Sequence, residues 1–213
     1  MMDMLNALLV IVLVLNLFAL GTSRILSVIR IVAVQGVLLG VIPMLLYERP
    51  NFPDFLASGV AVVLKGIVIP VIMTRALRDV QIKKEVQPLI GLLPSIILGA
   101  LATAFALLFA DSLAMAPAQG GSLIVPASFA TILVGFILLT TRVKALSQAV
   151  GYLVLENGIF IFGLLLVDAI PLVVEMGVLL DLFVGIFVIA IMVKHINRAF
   201  SSTDTSRLVS LKE

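Results

Sequence analysis

The chain contains no cysteine, no tryptophan and a single histidine, His195. Without thiolates, and with one imidazole, it cannot by itself hold an iron–sulfur cluster, a nickel site or a Cys/His zinc site. Any redox chemistry around it belongs to other subunits. Charge is scarce as well: 12% of the 213 residues are Asp, Glu, Lys or Arg and 62% are hydrophobic, with a mean hydropathy of +1.28. That balance is far from that of a soluble domain and reads as an integral membrane protein. A net charge of +2 and a pI near 9.2 do not point to nucleic acid, because the basic residues lie between apolar runs and form no block. They read as topology signals. The missing tryptophan leaves the usual aromatic belt thin, which fits a surface largely covered by other subunits.

What the sequence has instead is long apolar runs. About 20 such residues cross a bilayer's hydrocarbon, and runs of that order fall at 2–21, 25–46, 54–74, 88–110, 123–141, 145–167 and 171–193. The fold class expected is all-α, a polytopic membrane protein of about seven transmembrane helices. The first run, "MMDMLNALLVIVLVLNLFALG", lacks a basic n-region and a small-residue cleavage site, so it is expected to stay as a spanning helix. Turn and charge signals separate the runs: "GTSR", "YERPNFPD", "RALRDVQIKKEVQP", "DSLAMAPAQGGS", "TRVK" and "DAIP". Of the 14 Lys and Arg residues, all but Arg49 and Lys65 fall on one side of this layout. The other side receives Arg49 with Asp3, Glu48, Asp54, Asp111, Asp168 and Glu175. The positive-inside rule then places the N-terminus outside and the C-terminus in the cytoplasm.

Three charges remain inside the runs: Lys65 in the third, Glu156 in the sixth and Asp181 in the seventh. Each costs on the order of 2.5–3.5 kcal/mol to insert, so keeping three implies pairing, protonation or access to water. A carboxyl group that loads and releases a proton as a neighbouring charge moves fits these positions. A purely structural contact could use Asn or Ser instead of Glu156. Lys65 reads equally well as a functional charge or as half of an internal ion pair that holds the bundle together. Gln148, Tyr152 and Glu156 recur at helical spacing, as one half of a proton or water path would require; the simpler reading of Gln148 and Tyr152 is interfacial. Asn157 joins them as a candidate lining residue. Gly177 and Gly185 flank Asp181 four residues either way, so that face admits a close neighbour. Gly91, Ser95, Gly99 and Thr103 read as a packing seam, Gln35 as an interhelical hydrogen-bond group, and Pro43, Pro70 and Pro94 as marks of kinks.

Residues 24–46 align weakly with 144–166, pairing Arg24 with Lys144, Leu26 with Leu146, Ser27 with Ser147 and Val34 with Val154. In that register Gly36 stands opposite Glu156. The first and last three runs are then candidate related units, with the fourth as a linker.

The last three runs carry a basic "TRVK" turn, then "GYLVLEN" with its mid-run glutamate, then "LLDLFVGIFVIAI" with an acid followed four residues later by glycine, and a basic polar tail. This pattern resembles the K subunit of respiratory complex I and the C subunit of Mrp-type antiporters. Over its whole length the chain resembles the hydrogenase-4 component E family, membrane subunits of group 4 nickel–iron hydrogenases and formate hydrogenlyase-type complexes, in which "LENGIF" is a familiar stretch. Two features depart from the complex I pattern: the second acid is Asp, and Asn follows Glu156 directly. The loop before the seventh run is also short.

The resemblance implies a division into 1–120, four N-terminal helices, 121–200, a K-subunit-like three-helix unit, and 201–213, a polar cytoplasmic tail. It implies a membrane-arm subunit, without a redox centre of its own, that couples electron transfer to proton or sodium movement. Glu156 would be the exchanging carboxylate, Asp181 its partner and Lys65 a local counter-charge. The chain would bind no cofactor; iron–sulfur clusters and a nickel–iron centre are expected in partner subunits. The partners implied are antiporter-like membrane subunits, a quinone-site-like membrane subunit, a peripheral redox arm and lipids, in a prokaryotic plasma (inner) membrane. Competing readings are a structural assembly subunit and a stand-alone transporter. The transporter is weakened by the few inward polar groups available for a substrate. A rhodopsin is disfavoured because the seventh run has no interior lysine.

Overall fold

The computed structural model describes residues 2–46, 52–79, 89–112 and 122–166. They form α1 (Met2–Gly21), α2 (Ile25–Leu46), α3 (Phe52–Val63), a π-helical segment (Leu64–Val68), α4 (Ile69–Asp79), α5 (Leu92–Ser112), α6 (Ile124–Thr141) and α7 (Ala145–Gly163), the last ending in a 3₁₀ turn, Leu164–Leu166. Among the described residues there is no strand, and six helical stretches are long and apolar enough to cross a membrane. They correspond to the first six apolar runs. The seventh run, with Asp181, and His195 just beyond it lie outside the described residues.

The third span runs without a break through α3, the π segment and α4. The Ile69 N–H reaches back five residues to the Leu64 carbonyl, the signature of a π turn. Pro70 follows at once and has no N–H to give the preceding turn, so a wider turn costs little there. Pro94 falls in the first turn of α5, a position that tolerates proline, and so marks a helix start more than a kink.

Helix association in lipid draws little on the hydrophobic effect and relies on close packing and interhelical hydrogen bonds. α6 and α7 make the most extensive pairing. Gly135 lies against the backbone of Leu155, Gly151 against that of Leu138 and Leu139, and Gly158 against Ile132 and the Ser128 carbonyl. Gly36 and Gly40, a GxxxG pair on α2, admit Lys65 and Val62 of the third span in the same way. Ser95 and Gly99 of α5 are buried, with Gly99 against Leu17 and Leu20 of α1. The small-residue stripe is thus a packing seam, as its sequence suggests.

The buried interior is layered. One apolar cluster gathers Leu20, Ile25, Ile29, Met73, Leu138 and Val150 near the α1–α2 and α6–α7 turns. A second gathers Leu5, Leu9, Leu39, Ile42, Ile124 and Ile161 at the other end. Between them, in sequence, fall the buried polar residues Asn16, Gln35, Thr131, Glu156 and Asn157, one level on each of α1, α2, α6 and α7. Each end is tied as well. At one, Asn6 Oδ1 accepts from the Leu123 N–H at 3.0 Å. At the other, the Leu89 N–H donates to the Thr141 carbonyl at 2.8 Å.

A methyl group at Gly158 would sit about 2.6 Å from the Ile132 nitrogen, whereas one at Gly59 would meet nothing within 4 Å. Gly158→Ala is therefore expected to destabilise the bundle by about 1–3 kcal/mol through overpacking, and Gly59→Ala to be near neutral. Thermal unfolding of the two variants in detergent, read by loss of monodisperse protein, checks the contrast.

Candidate functional site

The polar layer converges on an ion pair. Lys65 Nζ lies 2.5 Å from Glu156 Oε1, with the two side chains 5% and 3% exposed. Lys65 sits on the π segment and Glu156 in the middle of α7, 91 residues apart in sequence. Two local features bring them together. The widened turn turns Lys65 inward, and Gly36 lets α2 lie directly against the Lys65 backbone and Cβ. No larger residue at 36 would fit without displacing the lysine. Such a pair in a low-dielectric interior must be close and further hydrogen-bonded to offset its desolvation. Lys65 Nζ also donates to Asn157 Oδ1 at 3.4 Å and stands 4.7 Å from the centroid of the Phe160 ring, a cation–π contact.

From this pair a line of hydrogen bonds crosses the bundle. Asn157 Nδ2 donates to Gln35 Oε1 at 3.5 Å. Gln35 Nε2 donates to Asn16 Oδ1 at 2.8 Å and to the Val12 carbonyl at 3.5 Å. Asn16 Nδ2 donates to Thr131 Oγ1 at 2.8 Å, and the Thr131 hydroxyl donates to the Ala127 carbonyl at 2.7 Å. The line passes through α7, α2, α1 and α6 in turn.

Of the residues singled out from the sequence, the structure thus joins Lys65, Glu156 and Asn157, and gives Gln35 the interhelical bonds expected of it. Gln148, part-buried, donates through Nε2 to the Arg142 carbonyl at 3.0 Å. Tyr152, also part-buried, packs against the apolar cluster near the turns. Asp181 lies outside the described residues. Asn16 and Thr131 were not singled out; the available signals were an amide well inside the apolar run of α1 and a hydroxyl on the buried side of α6.

Arg142 also departs from expectation. Read as a loop charge, it is almost wholly buried, and its Nη2 donates to the Leu20 carbonyl at the C-terminal end of α1 at 3.0 Å. Burial lowers the pKa of its guanidinium. The negative end of the α1 dipole compensates in part. Arg142 Nη1 and Ser147 Oγ, without a hydrogen-bond partner among the described residues, line a cavity of about 10 Å³, close to the room one water needs. Among the described residues no group of His, Asp and Glu side chains is placed to hold a metal ion.

The uncharacterized protein Rv0085 of Mycobacterium tuberculosis is 34% identical over 191 residues, spanning 88% of this chain and 86% of its own. The chain belongs to the Rv0085 family. Hydrogenase-4 component E of Escherichia coli K12 is 25% identical over 155 residues, 73% of this chain and 72% of its own, and the protein of that name in Shigella flexneri matches equally. No protein-family model and no solved structure matches. With six membrane-length helices, this is a multi-pass membrane protein.

Removing one member of a buried pair leaves an uncompensated charge, whereas removing both leaves apolar surface. Lys65→Met is expected to cost about 3–5 kcal/mol, and Lys65→Met/Glu156→Met markedly less. A double-mutant cycle on unfolding free energy in mixed micelles measures the coupling, and additivity of the two single effects would contradict the pairing.

Proposed function

We propose that this protein is a membrane-arm subunit of a multi-subunit energy-converting complex of the hydrogenase-4 type, in which the Lys65–Glu156 pair couples a redox event elsewhere to proton or sodium movement. The buried pair is the observation that carries this reading. Two opposite charges 2.5 Å apart within membrane-length helices form a unit whose electrostatics change when either member gains, loses or moves a proton. Similarity to hydrogenase-4 component E along about three quarters of the chain supports the setting. With no cysteine of its own, the chain in this reading relies on partner subunits for iron–sulfur and nickel–iron chemistry.

In this reading Glu156 exchanges the proton and Lys65 is its counter-charge, with Asp181 a further acid of the row. Gln148 and Tyr152 lead from the cytoplasmic end of α7 toward Glu156. Helices 5–7 of the sequence layout, residues 121–200, form the coupling unit, with the N-terminus outside and the partners being antiporter-like and quinone-site-like membrane subunits and a peripheral redox arm. The first four helices then do more than fill space, because they supply Lys65.

A buried, paired Lys65 also suits an assembly staple, and one variant separates the two roles. Glu156→Gln in the native complex is expected to leave assembly and electron transfer intact and to abolish ion movement in inside-out vesicles. Loss of the assembled complex would make the pair structural. Recovery of the chain alone in mild-detergent affinity purification would end the complex reading in favour of a stand-alone transporter.

A further inference from the structure

A lysine ammonium has three donors and no acceptor, so an amide that hydrogen-bonds to it must present its oxygen. Asn157 therefore turns Oδ1 to Lys65, which leaves its Nδ2 for Gln35. Gln35 must answer with Oε1, which leaves its Nε2 for Asn16. Asn16 answers with Oδ1 and donates through Nδ2 to Thr131, whose hydroxyl in turn donates to the Ala127 carbonyl. Every amide in the line thus points oxygen toward Lys65 and nitrogen away. The sense follows from the charge at the head. It is secured further along by two backbone carbonyls, which can only accept, Val12 at Gln35 in the middle and Ala127 at Thr131 at the foot.

We propose that Asn157, Gln35 and Asn16 are positioning residues forming a one-way hydrogen-bonded chain that holds the Lys65 ammonium at its head and ties its place to the α1–α6 contact at its foot. Three aligned amide dipoles present their negative ends to the ammonium, and in a low-dielectric interior such bonds polarise one another along the line. Reversing Gln35 sets nitrogen against nitrogen at Asn157 and oxygen against oxygen at Asn16, so the links on its two sides hold or fail together. Side-chain amides donate and accept but do not titrate. The chain therefore carries orientation and not protons, and proton exchange is confined to the Glu156 side of Lys65. That functional consequence rests on the coupling role given to the pair; the chain itself stands on geometry alone.

The test uses the full chain, ¹⁵N-labelled, in lipid nanodiscs, with the Lys65 ¹⁵Nζ resonance and the side-chain amide resonances of Asn157, Gln35 and Asn16 as readouts. Thr131→Val removes the acceptor at the foot, on a different helix and three hydrogen bonds from Asn157. All four resonances are expected to shift, least at Lys65, and Thr131→Ser is expected to restore them. Should Thr131→Val fail to fold, Gln35→Met cuts the chain in the middle, with Lys65 again the readout. A shift confined to the immediate neighbours of the substituted residue, with Lys65 unmoved, would overturn the proposal. The coupling reading would be untouched by that result, since ion movement in the Glu156→Gln complex tests it separately.

Discussion

A lysine and a glutamate buried in a bundle of membrane-length helices have to meet, and much of this structure follows from that requirement. Either charge alone would carry a penalty of several kcal/mol, while together, 2.5 Å apart, they form one nearly neutral group. The meeting carries a lysine of the third span, which packs on α2, across to α7 although 91 residues separate the partners. It also explains an otherwise odd local choice, a π turn at Lys65 facing a glycine on α2. π turns are rare and recur at functional sites. Here the turn delivers a side chain to the interior, and Gly36 yields the space for it.

Around the pair, the bundle divides its labour by depth. Apolar clusters at the two ends supply packing, and the glycines of α6, α7 and α2 bring backbones into contact. The polar layer between them supplies register. Packed apolar helices slide past one another at little cost, but a hydrogen bond between Asn16 and Thr131 or between Gln35 and Asn16 exists at one offset only. Such bonds contribute about 0.6–2 kcal/mol each in membranes, which is modest for stability and decisive for alignment. Arg142, reaching from the end of α6 to the Leu20 carbonyl, performs the same service at one end of the bundle.

The helices were legible because apolar runs of about 20 residues have one physical interpretation, and the boundaries of α1, α2, α6 and α7 follow the turn signals closely. The pair was half legible. Lys65 and Glu156 stood out as charges without water, but which charge each would meet depends on tertiary neighbours that periodicity does not encode. Gln35 was legible for the same reason. Asn16 was not, because a single uncharged amide in an apolar run acquires meaning only when Gln35 and Thr131 are seen on either side of it. Arg142 misled most plainly: in a short basic turn it is indistinguishable from a topology signal, and its burial arises from where the α1–α2 turn lies in space.

The π segment has one more implication, for how this chain tolerates insertion and deletion. A π turn holds the five residues Leu64–Val68 in about the rotation that an α-helix gives to four, so one residue removed there would restore ordinary helical winding and leave the helix on either side in nearly its present alignment. The face of Ile69, Met73 and Leu77 that now packs inward would keep its direction. What would change is the aim of the side chains inside the turn, Lys65 among them. The extra residue thus resets one side chain without turning the rest of the span, and a homologous chain one residue shorter here would be expected to keep its packing and to lose this lysine's approach to Glu156.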